Sequence, residues 1–217
     1  LLFNSLFLSI FAAILTIILG VFLVNTYITS NNLIIRLSVT ISRLGYALPG
    51  VVIALGVIVP LITLDGLIKN ALGQYFNITV GLIFSGTMIA IVYAYVIRFL
   101  TISYGTIESG FATLNPDLSA ASRVLGQSKY STLIKIQLPI IKPALIMSAL
   151  LVFVDSMKEL PATLILRPFN FDTLATYVYT YASLSQIEEA ALPALTIVAT
   201  GLLPIILINR ELVKNEN

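Results

Sequence analysis

Three charged side chains stand close together in an apolar part of the chain, at Asp155, Lys158 and Glu159. On a helix, spacings of three and four residues place side chains on one face. Carboxylates are hard oxygen donors that suit hard cations, but one carboxylate pair beside a Lys makes a poor tight metal site. The spacing therefore predicts a polar face that contacts a cation in passage or forms a structural ion pair, rather than a stable metal site.

Several other chemistries are excluded by residue types and motifs that the chain lacks. The 217 residues include no His and no Cys, which removes imidazole proton relays, Cys nucleophiles and thiolate metal sites. No Gly-x-x-x-x-Gly-Lys-Ser/Thr motif occurs, so the chain is not expected to hydrolyse ATP, and no cofactor is expected.

The composition places the charged residues in a membrane protein. Hydrophobic residues make up 58% and charged residues 10% of the chain, whereas a soluble domain carries roughly 25% charged residues. The formal net charge of +2 is too small to indicate nucleic-acid binding. Five continuously apolar stretches can each cross about 30 Å of hydrocarbon, which predicts an all-α, polytopic bundle of five transmembrane helices. They cover approximately residues 2–27, 44–64, 80–100, 140–166 and 190–208.

In this setting the charges of the fourth stretch are costly. Each unpaired charge costs about 2.5–3.5 kcal/mol near the centre of a membrane helix. We therefore expect Asp155, Lys158 and Glu159 to face protein or a water-filled cavity. Two interpretations remain open, a translocation path or outer gate and a structural ion pair between this chain and a second half of the protein. Pro161 is predicted to break the helix, with Thr163 bonding a freed carbonyl group.

The basic residues predict the orientation in the membrane. If segments 28–43 and 98–142 and the C-terminus share one side, nine Lys and Arg residues lie there and three on the other. The positive-inside rule makes the first side cytoplasmic. The nine are Arg36, Arg43, Arg98, Arg123, Lys129, Lys135, Lys142, Arg210 and Lys214, and the three are Lys69, Lys158 and Arg167. The chain starts with Leu rather than Met, which we interpret as an internal position of a longer protein.

A polar, basic segment precedes the fourth stretch and is predicted to form two short helices. Asn115 is placed to cap the first helix, with Pro116 at its first position. Gly126 is placed to end it in the left-handed conformation, and Ser128 to cap a second helix up to Gln137. The unit is amphipathic, with Leu118, Ala121, Val124 and Leu125 opposed to Arg123, Lys129 and Lys135. It either lies flat on the membrane or is a docking handle for a cytoplasmic partner.

The same segment resembles the signature of ATP-binding-cassette importer permeases, which is Glu-Ala-Ala, three residues, Gly, nine residues, Ile, one residue and Leu-Pro. Five of the seven positions match, while Ala120 and Ser122 replace the Glu and the second Ala. The resemblance implies that residues 101–139 form a cytoplasmic coupling loop fitting a groove on a dimeric ATP-binding subunit. The implied coupling residues are Asp117, Ala120, Ala121, Ser122, Gly126, Ile136, Leu138 and Pro139, with Asp117 a candidate substitute for the missing Glu.

Other stretches resemble the permeases of ferric iron importers. They are Lys158-Glu-Leu-Pro-Ala-Thr163, Arg167-Pro-Phe-Asn-Phe-Asp-Thr-Leu-Ala-Thr176 and Ala47-Leu-Pro-Gly-Val-Val-Ile-Ala-Leu-Gly56. The resemblance implies a MetI-like permease core in the bacterial inner membrane, with a cytoplasmic C-terminus. Residues 1–217 would then be a single domain, the C-terminal half of a permease made of two fused halves. Implied partners are the ATP-binding subunit, an extracytoplasmic substrate-binding protein, the other permease half and membrane lipid, but no nucleic acid.

Three alternatives to ferric iron import stay open. A permease of the same type for another small solute, such as thiamine, shares the scaffold. An ion-gradient transporter would need ionisable groups inside several spans, and the sequence places them only in the fourth. An intramembrane enzyme without His or Cys would need a Ser–Lys or two-Asp arrangement, but Asp65, Asp117 and Asp172 are predicted in loops.

Aromatic residues and glycines leave two further roles open. The segment 167–185 carries Phe169, Phe171, Tyr177, Tyr179 and Tyr181. These fit either an anchoring belt at the membrane interface or a contact with a binding protein. Pro49-Gly50 and Gly56 fit either close helix packing or a gate hinge.

Overall fold

The structure is a computed structural model that describes the backbone of residues 1–76 and 81–215, and its description of side chains leaves out 116, 203–205 and 207–215. In this part of the chain the helices are α1 Leu2–Thr29, α2 Leu33–Ser42, α3 Gly50–Phe76, α4 Met88–Ala112, α5 Pro116–Val124, α6 Lys129–Thr132, α7 Leu138–Ile140, α8 Lys142–Met157, α9 Pro161–Leu166, α10 Leu174–Ser183 and α11 Ile187–Asn215. A 3-10 turn, Gly45–Ala47, precedes α3, and a π-helical stretch, Leu133–Gln137, joins α6 to α7. The prediction of an all-α chain is confirmed.

Helices α1, α3 and α4 are long and apolar enough to cross a membrane. A fourth candidate is the pair Lys129–Ile140 and Lys142–Met157, which is bent by 74° at its junction. Helix α11 contains the fifth predicted stretch, but some of its side chains lie outside the described residues. The predicted count of five spans is therefore not confirmed.

Two of the helices do not coincide with the predicted spans. Helix α3 begins at Gly50 rather than near residue 44 and continues to Phe76, and α4 runs from Met88 to Ala112 rather than from 80 to 100. Apolarity alone set the predicted boundaries, whereas membrane helices continue through polar residues that find partners. Arg98 consequently lies inside α4 instead of at its end. Residues 101–112, which the resemblance assigns to the coupling loop, lie in this helix.

The centre of the bundle is formed by α1, α4 and α8, which approach closely through small residues. A Cβ atom added at Gly20 of α1 would lie 2.9 Å from the Ser103 hydroxyl on α4. That hydroxyl donates to the Thr16 carbonyl oxygen and accepts from the Ser148 hydroxyl of α8, both at 2.9 Å. Small and hydroxyl-bearing residues are typical of helix interfaces in membranes, where close backbone approach and interhelical hydrogen bonds stabilise packing.

Asp65 is a charged residue within α3, and its prediction as a loop residue is wrong. Its carboxylate is buried and accepts hydrogen bonds from the backbone N–H groups of Ile83, Phe84 and Ser85, at 2.8–3.1 Å. The Ser85 hydroxyl adds a fourth bond, at 2.6 Å. These donors compensate the burial of the charge, and the bonds hold residues 83–85 against the side of α3.

The segment from Asn115 to Pro139, called the docking segment below, largely follows its predicted capping pattern. The Asn115 side chain accepts from the Asp117 N–H at 2.9 Å, Gly126 is left-handed with φ of 81°, and Ser128 accepts from the Ser131 N–H at 3.1 Å. These three predictions are confirmed. The second helix differs, because it is α-helical only to Thr132 and continues as a π-helix.

Candidate functional site

The predicted helix break at Pro161 is present and lies beside the charged residues. Helix α8 ends at Met157, and Pro161 is the first residue of α9. The Thr163 hydroxyl donates to the carbonyl oxygen of Glu159 at 3.0 Å, as predicted. It also lies 2.6 Å from the buried Tyr95 hydroxyl of α4. The break is thus anchored to α4 by a buried hydroxyl pair.

Glu159 is buried against α4 and is separated from the other two charges. Its Oε2 lies 3.2 Å from Nε of Arg98, and its Oε1 accepts from the Ala162 N–H at 3.2 Å. The side chain is only 6% exposed, so Glu159 caps α9 and neutralises Arg98 rather than facing open space. The sequence analysis does not predict this partner, because the positive-inside rule groups Arg98 with the cytoplasmic residues. The sequence does carry one indication that Arg98 lies within a helix, because the residues from Met88 up to Arg98 form an uninterrupted uncharged run.

Not every nitrogen of the Arg98 guanidinium group has a hydrogen-bond partner in the described structure. Although Nε is close to the carboxylate, its N–H is not directed at it, and this buried atom has no hydrogen-bond partner among the described residues. Nη1 donates to the Leu48 carbonyl oxygen at 3.4 Å, and the guanidinium carbon lies 5.9 Å from the centre of the Tyr46 ring. Arg98 therefore joins α4, the loop before α3 and the break after α8.

Asp155 and Lys158 form the accessible side of the cluster. Lys158 Nζ lies 2.8 Å from Asp155 Oδ1, so these two residues form an ion pair within the chain. Lys158 is 61% exposed and Asp155 21% exposed. The Tyr46 hydroxyl donates to the other carboxylate oxygen of Asp155 at 3.3 Å. We call Tyr46, Arg98, Asp155, Lys158 and Glu159 the polar cluster.

Two glycines bring the loop before α3 into place. A Cβ atom added at Gly45 would lie 1.9 Å from the carbonyl oxygen of Ile97, so only Gly allows this loop to touch the backbone of α4. A Cβ added at Gly50 would lie 2.8 Å from both Arg98 Nη1 and Glu159 Oε1. Close packing is thus observed at Gly50, whereas nothing lies within 4 Å of a Cβ added at Gly56.

Charges inside other helices correct the expectation that only the fourth span carries them. Besides Asp65 and Arg98, helix α4 carries Glu108, whose carboxylate lies 3.1 Å from Arg43 Nη2. It also accepts from the Tyr104 hydroxyl at 3.2 Å. Because each of these charges has a partner in the described structure, they are explained by the packing of this chain. Among the described residues, no three acidic side chains come close enough to hold a metal ion.

The docking segment presents apolar side chains outward. Val124, Leu125 and Tyr130 are strongly exposed, and a Cβ at Gly126 would meet open space. Of the coupling residues implied by the resemblance, Asp117, Ala120, Ala121 and Pro139 are exposed, Ile136 and Leu138 are half-buried and Ser122 is buried. The Ser122 and Thr132 hydroxyls lie 2.8 Å apart and join the two short helices. Ser122 is therefore a support of this surface, not part of it.

The aromatic segment divides into buried and exposed residues. Phe171 is buried in the core, whereas Phe169 is fully exposed. Tyr177 and Tyr181 stack with ring centres 4.2 Å apart, and Tyr179 is exposed. The arrangement leaves Phe169 and Tyr179 available to lipid or to another protein.

Comparison with known sequences decides the family. The sequence profile described as "Binding-protein-dependent transport system inner membrane component" matches residues 16–213. The chain belongs to this family. Its match covers α3, α4, the docking segment and the helix break, so the elements that form the polar cluster are those of a transport system inner membrane component.

Curated relatives of this inner membrane component include permeases of ferric transport systems. It is 31% identical over 195 residues to the ferric transport system permease protein FbpB of Actinobacillus pleuropneumoniae, covering 87% of this chain and 27% of the relative. It is 28% identical to the Fe(3+)-transport system permease protein FbpB 2 of Haemophilus influenzae, covering 95% of this chain and 38% of the relative. The chain thus spans only about a third of the length of these relatives.

Solved structures share the fold of this inner membrane component. A bacterial ABC transporter for import of the polysaccharide alginate matches with a TM-score of 0.73 at 17% identity, covering 96% of this chain and 76% of that one. The alginate transporter in complex with a pentasaccharide-bound periplasmic protein gives a TM-score of 0.70 at 17% identity, with the same coverage. An amino acid ABC transporter solved with histidines gives 0.57 at 20% identity, covering 96% and 91%.

Proposed function

We propose that this chain is the C-terminal part of the permease subunit of an ATP-driven, binding-protein-dependent importer for ferric iron in the bacterial inner membrane. The observation that carries the proposal is the similarity, over most of the chain, to several ferric transport permeases. The membrane setting is supported by the family and by the apolar helices. As a transport permease, the chain works without catalysing a reaction, and ATP hydrolysis belongs to a separate subunit.

The docking segment is the proposed contact with the dimeric ATP-binding subunit. Its exposed apolar residues Val124, Leu125 and Tyr130 are suited to burial in a groove of a partner. The Ser122–Thr132 bond and a bond from Gln137 Nε2 to the Ser119 hydroxyl, at 3.0 Å, hold its two short helices together. A push on this unit would therefore be passed to α8 through the bent junction. In this proposal the C-terminus and the docking segment are cytoplasmic.

The polar cluster is the proposed contact with the passing ion. Asp155 offers the accessible carboxylate, a hard oxygen donor suited to ferric ion. Lys158 and Tyr46 hold that carboxylate at 2.8 and 3.3 Å, and the Tyr46 ring in turn lies 5.9 Å from the Arg98 guanidinium, which pairs with buried Glu159. One accessible carboxylate beside a Lys gives weak and transient binding, which suits release after each alternating-access cycle. The other permease half and a docked binding protein would complete the path.

A crosslinking experiment tests the class of transporter. The complete permease carrying Gln127→Cys, at an exposed position between α5 and α6, is coexpressed with ATP-binding subunits and treated with a thiol crosslinker. Tyr179→Cys, exposed on α10, is the matched control for the opposite side. We expect a nucleotide-sensitive crosslink from position 127 and none from position 179. Uptake driven by a proton or sodium gradient without any ATP-binding subunit would instead establish a secondary transporter.

A competition experiment tests the substrate. Cells that depend on this permease are supplied with radiolabelled ferric iron and an excess of unlabelled solute. We expect competition by ferric iron only. A second candidate is 2-aminoethylphosphonate, because a putative permease for it from Salmonella typhimurium is 24% identical over 119 residues. Uptake of 2-aminoethylphosphonate or thiamine in place of iron would refute the ferric proposal and leave the permease class intact.

A further inference from the structure

A polar cavity lies behind the docking segment and has no role in the proposed path. Its volume is about 310 Å³, and it lies between the last turn of α1, the end of α4 and the helices α5 and α6. Polar lining side chains include Asn25 and Thr29 from α1, Ser119 and Arg123 from α5, and Lys129 and Gln137 from the following segment. The cavity therefore touches both the bundle and the docking segment.

The charge of this cavity is suited to an anion. Arg123 and Lys129 line it, and none of its described lining residues is acidic. Neither cation forms an ion pair within the described part of the chain. The Arg123 Nε–H donates to the Ser119 carbonyl oxygen at 3.2 Å, which holds the guanidinium at the cavity wall. Gln137 and Thr29 add further hydrogen-bonding groups.

The position of the cavity indicates where such an anion comes from. Thr29 is the last residue of α1, a candidate membrane span, so the cavity lies where that span leaves the hydrocarbon. Exposed Ile28 and buried Phe111 supply an apolar edge beside the cations. Basic pockets between membrane helices on the cytoplasmic side bind anionic headgroups. A phosphate arriving from the membrane would meet both cations and apolar side chains at this cavity.

We propose that this cavity binds the phosphate of an anionic phospholipid headgroup, with Arg123 and Lys129 as its ligands. The lipid would then tie the end of α1 to the docking segment and stabilise the position in which that segment is presented. The proposal depends on the membrane location of the chain. It is independent of ferric iron as substrate, so either proposal can fail without the other.

Native mass spectrometry of the complete permease, purified in a neutral detergent and incubated with phosphatidylglycerol, tests the site. The test variant is Arg123→Gln/Lys129→Gln, and the conservative Arg123→Lys/Lys129→Arg variant keeps both charges. Lys142→Gln is a matched control, because Lys142 is an exposed cation of the same region that does not line the cavity. A parallel series with phosphatidylcholine separates anionic from zwitterionic lipid, and added inorganic phosphate tests for a free anion.

We expect the wild type, the conservative variant and the Lys142→Gln control to retain phosphatidylglycerol in preference to phosphatidylcholine. A cation near an anionic headgroup contributes about fivefold in affinity, so loss of both should weaken retention about 30-fold. Equal retention by the Arg123→Gln/Lys129→Gln variant would overturn the site. Equal retention of phosphatidylcholine, or displacement of the lipid by millimolar inorganic phosphate, would overturn the anionic phospholipid as its ligand.

Discussion

Replacing Glu159 with Gln separates support of the helix break from contact with the transported ion. Gln can still accept from the Ala162 N–H, as Glu159 does at 3.2 Å, so the cap of α9 is retained. What is lost is the negative charge opposite Arg98. Since both side chains are at most 20% exposed, Arg98 would be left largely buried and without a counter-charge.

The expected magnitude follows from this burial. Removing one partner of a buried ion pair costs about 3–5 kcal/mol, and the residual exposure of Arg98 favours the lower end, about 3 kcal/mol. The matched control is Asp155→Asn, because it breaks the neighbouring pair with Lys158, which is 61% exposed. Such an exposed pair contributes about 0–1 kcal/mol, so this variant should unfold close to the wild-type temperature.

The assay measures thermal unfolding of the purified complete permease and ferric iron uptake normalised to assembled complex. We expect Glu159→Gln to lower the unfolding temperature by several degrees while each assembled complex keeps most of its uptake. Asp155→Asn should show the reverse, with normal stability and slow uptake. The double variant Arg98→Gln/Glu159→Gln should recover part of the lost stability, because it leaves no buried charge.

Two results would refute this reasoning. If Glu159→Gln unfolds like the wild type but transports slowly, Glu159 belongs to the ion path and the buried pair is not what holds the break. If Asp155→Asn transports normally, the accessible carboxylate has no part in translocation, and the polar cluster is structural throughout.

Three further predictions address other parts of the chain. Gly50→Ala should destabilise the permease by about 1–3 kcal/mol in thermal unfolding, because its Cβ would lie 2.8 Å from the buried ion pair. Gly56→Ala should be neutral or slightly stabilising. Equal effects of the two substitutions on stability would contradict the close approach at Gly50. Asp65→Asn should lower the free energy of unfolding by about 2–3 kcal/mol, since one amide oxygen replaces a carboxylate that accepts four hydrogen bonds. An unchanged unfolding temperature would show that residues 83–85 are held by other contacts. Val124→Ser/Leu125→Ser should lower transport-coupled ATP hydrolysis. The unfolding temperature should stay unchanged, because both side chains are exposed. Unaltered hydrolysis would show that the ATP-binding subunit docks on a different surface.

Local chemistry was the most predictable part of this structure. The Asn115 and Ser128 caps, left-handed Gly126 and the break at Pro161 each depend on one residue and its chain neighbours. Such features are fixed by side-chain hydrogen bonding and backbone sterics within a few residues. The sequence is therefore sufficient to place them.

The partners of the buried charges could not be predicted in the same way. Asp65 and Arg98 interrupt apolar runs, so apolarity alone placed them near span ends. Their actual partners are distant in sequence, the backbone at 83–85 for Asp65 and Glu159 for Arg98. Only the packing of α3, α4 and the break after α8 brings these groups together, and that packing depends on close backbone approach at glycines as much as on charge.

The position of the polar cluster has a physical cause that also limits its role. Helices α3 and α9 both begin beside Arg98, well inside the length of α4. Helix starts leave backbone N–H groups without intrahelical partners, and away from water these need acceptors. Glu159 supplies one acceptor and balances Arg98, so its burial is accounted for without a transported ion. The same need does not account for Asp155, which is 21% exposed and whose carboxylate pairs with Lys158 and the Tyr46 hydroxyl rather than with backbone N–H groups of the described structure. Contact with the ion is therefore expected at Asp155, whereas Glu159 is expected to hold Arg98 and the start of α9 in place.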